Sequence, residues 1–235
     1  MSSRERTLSK FLFYKYFYAS PYVTVLCEGE TDNIYLKSAI DNLKSEFPGF
    51  YTKNKDTDKA ELKIRFLNYT KRTRFIMGLY GGGNYLRNFV RDYGVHYKEY
   101  KADTSVNPVV LILDNDSGPN NLIGLLKAGN FKHLPDDNEG FRGAKVFFNL
   151  VENLYLILVP GEGREIEDLF TRKDLGRKVS NKTFNYKSKA LGVNEYGKVV
   201  FANKVVAPHR NDIDFSGFMP VLNQVKKIME HHSNK

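Results

Sequence analysis

The chain has 235 residues, 41% hydrophobic and 27% charged, with one cysteine and a net charge of +9. That is enough apolar material for one ordinary core and excludes a disordered tail. Cys27 alone cannot form an internal disulfide or a cysteine zinc site, which leaves the cytoplasm as the default compartment, and the basic balance points to nucleic acid or another polyanion.

The opening MSSRERTLSKFLFYKYFYA carries charges and tyrosines through its apolar part and lacks a small-residue cleavage site, so it does not read as a signal peptide. No apolar run reaches the ~18 residues of a spanning helix, so no membrane partner is expected. Within it, FLFYKYFYA (11–19) reads as an amphipathic helix or docking segment. Residues 1–20 are therefore set apart as a linker or docking piece, with one domain over 21–235. PYVTVLCEG (21–29) reads as a strand ending at Glu-Gly. TDNIYLKSAIDNLKSEF (31–47) follows as a helix, capped by Thr31 or Asp32, with Ile34, Leu36, Ile40 and Leu43 on its apolar face. Residues 48–60 read as a polar loop and ELKIRFLNY (61–69) as an alternating strand.

The stretch 73–94 carries three glycines at 81–83, then a helix with Leu86, Phe89 and Val90 on one face. PVVLILDND is a nearly continuous aliphatic strand, the pattern of a buried parallel strand. Residues 120–129 read as a short helix, 144–160 as two strands turning at Glu152-Asn153, and 163–170 as the opening of a short helix. Residues 197–206 fit a strand or a helix. The segment 215–235 reads as a helix that buries Phe218, Val221, Leu222, Val225, Ile228 and Met229, and either caps the core or forms an interface between copies of the chain. Strands alternating with helices predict an α/β layer structure with a mainly parallel sheet. Sites in such sheets form at the carboxyl ends of the strands.

Two acid groups stand at such ends: Glu28 with Asp32 after the first strand, and Asp114 with Asp116 after the aliphatic one. Aspartate is a poor strand former and costly to bury, and carboxylates gathered at one sheet end repel each other. A hard divalent cation, Mg²⁺ or Mn²⁺, relieves that conflict. Taken alone, Asp-x-Asp before glycine also reads as a turn whose side chains bond nearby N–H groups.

Hydrophobic strand, Glu-Gly, an Asp four residues after the Glu, and a later strand ending Asp-x-Asp resembles the toprim pattern. YVTVLCEGETDNIYLKSAI, GLYGGGNYLRNFV, PVVLILDNDSG, EIEDLF and DFSGFMPVLNQVKKI together resemble the C-terminal toprim region of certain retron reverse transcriptases, from about Lys10 onward. The Tyr-x-Asp-Asp polymerase signature is absent, so this is an excised domain or a stand-alone relative, and 11–19 would be the junction with the polymerase. The resemblance implies a Rossmann-like toprim sheet flanked by helices, with added C-terminal α/β elements.

It also implies a metal-dependent nuclease acting on DNA or RNA, tRNA included. Such an enzyme would be the toxic effector of an anti-phage system, partnered by the reverse transcriptase and its RNA–DNA product. By position, Glu28 is implied as general acid/base or metal-bound residue, Asp32 as supporting metal binding, Asp114 and Asp116 as the metal pair, and Glu167, chosen over Glu165 and Asp168, for a second metal. Gly81, Gly82 and Gly83 would approach a phosphate or simply turn the chain. Relatives among OLD-type nucleases use a late lysine. Lys198 stands near the comparable place as a catalytic lysine, Lys204 is its competitor and otherwise a phosphate-binding residue, and each also reads as a plain solvated lysine. The rival class is a non-catalytic scaffold that binds nucleic acid or drives oligomerisation, which would not need all four of Glu28, Asp32, Asp114 and Asp116.

Overall fold

The computed structural model describes residues 1–54, 56–102, 107–129, 142, 147–188 and 190–234. The first helix, α1 (Ser3–Phe13), is started by a capping box. The Ser2 hydroxyl accepts the Glu5 N–H and the Glu5 carboxylate accepts the Ser2 N–H at 2.6 Å. It runs on through a wider π turn, Tyr14–Tyr18. Strand β1 (Val23–Cys27) and helix α2 (Glu30–Asn42) follow, then β2 (Tyr51–Lys53), β3 (Ala60–Leu62) and β4 (Ile64–Phe66). Helices α3 (Lys71–Met77) and α4 (Gly83–Tyr97) precede β5 (Val109–Leu113) and α5 (Asn120–Ala128). Strands β6 (Phe148–Val151) and β7 (Leu154–Leu158) complete the main sheet.

That sheet has the order β4-β1-β5-β7-β6. β4, β1, β5 and β7 are mutually parallel, and only the edge strand β6 is antiparallel. The aliphatic runs are explained by burial on both faces. Along β5, Val110 and Ile112 enter one core while Val109, Leu111 and Leu113 enter the other. Along β7, Tyr155 and Ile157 alternate with Leu154, Leu156 and Leu158 in the same way. The first core is closed by α2, through Tyr35, Leu36, Ala39 and Ile40, and by the C-terminal helix Met219–Ser233, through Val221, Leu222, Val225 and Ile228. The second is closed by the end of α1, by α4 through Leu86, Val90 and Tyr93, and by α5. The C-terminal helix thus caps the core. No helix among the described residues is long and apolar enough to cross a membrane.

The segment 11–19 belongs to this domain's own core. Leu12, Phe13, Phe17 and Tyr18 are buried, while Phe11 stays exposed. Phe13 packs against Tyr93, His96 and Tyr100, and the buried Asn153 side chain donates to the Phe17 carbonyl at 3.0 Å. Large aromatic side chains beside the open face of a sheet are buried by the nearest apolar surface, which here is α4.

Other elements depart from the sequence reading. The expected strand 61–69 is two, because Lys63 turns the chain: its N–H goes to Phe50 and its carbonyl to Val23. β3 therefore pairs antiparallel with β2 inside the expected loop, and only β4 joins the main sheet. Helix α3 was not foreseen. Thr70 caps it through the Thr73 N–H at 3.3 Å, and Gly78 ends it at φ 66°. The cap of α2 is Gly29, with Asp32 bonding back to it. Residues 163–170 form a 3₁₀ turn, Ile166–Leu169, and 198–206 is helical, as Lys198–Val200 and then a π turn, Phe201–Val206. In the predicted strand pair 144–160, residues 144–146 lie outside the described residues, and Glu152 turns the hairpin at φ 50°.

Candidate functional site

The parallel register sets the carboxyl ends of β1, β5 and β7 side by side, with Cys27 opposite Ile112 and Leu113 opposite Leu158. Each strand ends where an acid begins: Glu28 follows β1, Asp114 follows β5, and the loop after β7 carries Glu165 and Glu167.

Glu28 is held by its own backbone and by its neighbours. Its carbonyl accepts the Gly82 N–H at 3.0 Å, and the Tyr69 hydroxyl donates to the carbonyl of Cys27 just before it. Gly81, at φ 79°, lies so close that a Cβ there would meet the Glu28 carbonyl at 2.8 Å and the Tyr69 ring at 3.1 Å. Glycine is thus required at 81 by both conformation and space. Burial raises the pKa of the Glu28 carboxyl and the charge of Asp116 raises it further. Lys198 and the N–H groups of Gly83 and Asp114 pull the other way without cancelling the rise. Its Oε2 is buried and has no hydrogen-bond partner among the described residues.

Asp32 sits in the first turn of α2. It accepts the Gly29 N–H at 2.8 Å and the Thr31 hydroxyl at 3.3 Å. Burial lifts its pKa to about 7 against that N–H bond, with the charge of Glu167 adding to the rise. Asp114 accepts the Ile166 N–H at 2.8 Å. Burial, then the charge of Asp32, raises it to about 8. Asp116 accepts the Gly118 N–H at 2.8 Å, so the turn reading of Asp-x-Asp-Ser-Gly holds as local structure. The same turn also aims Asp116 at Glu28. A Cβ on Gly118 would stand 3.0 Å from Asp116 Oδ1 and 3.0 Å from Glu28 Oε1, so the two oxygens are no farther apart than twice that distance.

Glu167 is fully buried. Its Oε2 accepts Lys198 Nζ at 3.0 Å, and its Oε1 has no partner among the described residues. Lys198 also binds Glu165 at 2.9 Å. Burial works against the ammonium, but Glu167 and Glu165 outweigh it and hold its pKa above the ordinary lysine value. Lys187 links Glu165 and Asp168 at 3.2 and 3.0 Å, and the Tyr186 hydroxyl closes on Asp168 at 2.6 Å. Asp168 is thereby taken up in a structural pair.

The structure thus brings together Glu28, Asp32, Asp114, Asp116, Glu167 and Lys198, with the backbone of Gly81, Gly82 and Gly83 supporting Glu28. It does not bring in Lys204, which is exposed on the π turn and pairs with no carboxylate among the described residues. Sequence reasoning missed Lys187 and Arg142. The Arg142 guanidinium donates to the carbonyls of Asn115 at 2.9 Å and Asp116 at 2.7 Å, and so braces the Asp-x-Asp turn. Neither residue lies in a periodic or motif-like stretch that would have marked it.

An all-oxygen donor set suits a hard cation. Among the described residues no three His, Cys, Asp or Glu side chains converge enough to hold an ion by themselves. Glu28 and Asp116 face each other across Gly118, and Glu28 Oε2 is buried with no hydrogen-bond partner among the described residues. Two carboxylates with the remaining positions left to water and phosphate is the habit of Mg²⁺, and the residues present fit it. No family model matches the chain, and no solved structure matches it.

Proposed function

We propose that the chain is a divalent-metal-dependent nuclease of the toprim kind, hydrolysing phosphodiester bonds in DNA or RNA, tRNA included. The observation that carries this reading is the gathering of Glu28, Asp32, Asp114, Asp116 and Glu167 at one end of a parallel sheet, where neighbouring charges add to burial in raising the pKa of Glu28, Asp32 and Asp114. Buried, mutually repelling acids are costly to maintain, and such clusters concentrate at functional sites.

Glu28 and Asp116 would hold Mg²⁺ or Mn²⁺, with Asp114 and Asp32 alongside. When bound, the ion supplies Lewis-acid stabilisation of charge on a phosphoryl oxygen. Glu28, its pKa raised by burial and by the charge of Asp116, is suited to hold or pass a proton at Oε2. Lys198 brings a fixed positive charge to the same end, held in place by Glu165 and Glu167. The chain's net charge of +9 favours a polyanionic substrate over a small phosphate ester. The sequence resemblance extends the proposal to a setting: an effector tied to a retron reverse transcriptase and restrained by its RNA–DNA product.

The test is incubation with Mg²⁺ or Mn²⁺ and single-stranded DNA, duplex DNA, total RNA and tRNA, beside Glu28→Gln and Asp114→Asn. Cleavage that disappears in both variants and in EDTA is expected. Cleavage that persists in both variants removes the assignment of the site. Folded protein that binds nucleic acid and cuts none, with its polymerase partner added, points instead to the scaffold.

A further inference from the structure

Two exposed tyrosines flank the glycine turn. The rings of Tyr80 and Tyr85 lie 4.6 Å apart at 34°, and they are 39% and 45% exposed. Their neighbours Leu79 and Leu86 fill the core, so the tyrosines are not needed there. Between them, Gly82 is bonded to the Glu28 carbonyl, which anchors this aromatic shelf to the residue that carries the site's first carboxylate.

From Asn84, the neighbour of Tyr85 in the chain, α4 and α5 line an open channel of about 500 Å³ with Arg87, Asn120 and Asn121 and no carboxylate on its wall, while Tyr85 itself faces a separate cavity with Asn88, Phe89 and Asp92. Asn121 donates to Asn84 across it at 2.7 Å, and Arg87 has no carboxylate partner among the described residues. Asn120 also lines the cavity over Asp116 and Arg142, so the channel adjoins the acid cluster.

We infer that the Tyr80–Tyr85 shelf and the Asn84–Arg87–Asn121 channel bind an unpaired polynucleotide strand and lead it to the carboxylates. The inference rests on the nuclease reading for its destination only. Exposed aromatic faces suit bases, and they can stack only on bases whose faces are free, which a duplex does not offer. Neutral amides and a guanidinium with no carboxylate partner among the described residues suit the backbone phosphates, whereas the acid cluster repels them unless a cation intervenes.

The experiment is fluorescence anisotropy with labelled 12-nucleotide DNA and RNA single strands and the matching duplex, in EDTA so that nothing is cut. Either single strand is expected to bind at least about tenfold more tightly than the duplex. Replacing both tyrosines by alanine should weaken single-strand binding about tenfold or more and leave the duplex unchanged. Replacing both by phenylalanine should restore it, because stacking needs no hydroxyl. Arg87→Gln should weaken binding and lower the salt slope by about one. Unchanged thermal melting of each variant separates these effects from unfolding. Equal affinity for strand and duplex, no binding at all, or indifference to the double alanine change overturns the inference. Cleavage is scored separately. Wild-type cutting with an indifferent shelf sinks the path alone, and shelf-dependent binding without cutting sinks the nuclease alone.

Discussion

Removing the Lys198 ammonium isolates one consequence of the acid cluster without requiring a substrate. In Lys198→Met the side-chain volume stays nearly the same, but Glu167, with 0% side-chain exposure and one oxygen already without a partner among the described residues, loses its counter-charge. Breaking a buried pair from one side costs about 3–5 kcal/mol. Lys198 keeps 34% of its side-chain surface, so part of that is screened by water, and about 2–3 kcal/mol is the expected loss at pH 7. The sign of the pH dependence is set by Glu167. Burial already raises its folded pKa, and losing Lys198 raises it further. A raised carboxyl favours the fold below its unfolded pKa and loses that contribution as pH rises through the folded value. The deficit of the variant should therefore grow as pH rises above about 4.5, be larger at pH 8 than at pH 4.5, and shrink toward zero below that lower value. Urea unfolding of wild type and variant across that range measures it, and Glu167→Gln in the Lys198→Met background should recover most of the loss. A deficit of equal size at pH 4.5 and pH 8, or none at either, would refute the buried-pair reasoning.

Without metal, the raised Asp32 and Asp114, at about 7 and about 8, should make the protein lose stability as pH climbs from 4 to 8, and Asp114→Asn should melt higher than wild type at pH 8.5 in EDTA. An unchanged or lower melting temperature would count against the repulsion. Mg²⁺ or Mn²⁺ should raise the melting temperature more at pH 8 than at pH 5.5, because protons compete for the same oxygens, and isothermal titration should show the matching proton release. Gly118→Ala would push a methyl to 3.0 Å from both Glu28 and Asp116, so it should weaken metal affinity at least tenfold while costing under about 1 kcal/mol of stability, read by titration and urea unfolding. Asn153→Leu should destabilise the fold by about 2–3 kcal/mol, because it strands the carbonyls of Phe17 and Asn107 and the hydroxyl of Tyr93. Urea unfolding within about 0.5 kcal/mol of wild type would show that this network does not clamp the N-terminal segment.

The two best-read strands were β1 and β5, and the reason is physical. A strand buried on both faces must be apolar without interruption, and a run such as Val109–Leu113 admits few other placements. Where such a run stops at Glu28 or Asp114, the acid lies at the strand's end whatever the rest of the chain does. The short or one-turn elements were misread. β2, β3 and β4 span only 3 residues each, too few for a period to show, and α3 depends on the Thr70 cap and on Gly78 adopting a left-handed turn.

The sequence by itself thus determined the layer class, the two acid-bearing strand ends and the spacing of Asp114 from Asp116. Tertiary structure alone decided that Lys198 closes on Glu165 and Glu167, 33 and 31 residues away along the chain, while Lys204, six residues on, stays in solvent. It also decided that Arg142 braces Asp116 and that the aromatic segment 11–19 folds back on α4. Periodicity records which face of a strand or helix is buried. It does not record which loop residues meet in space, and charge pairing, desolvation and pKa depend on those meetings.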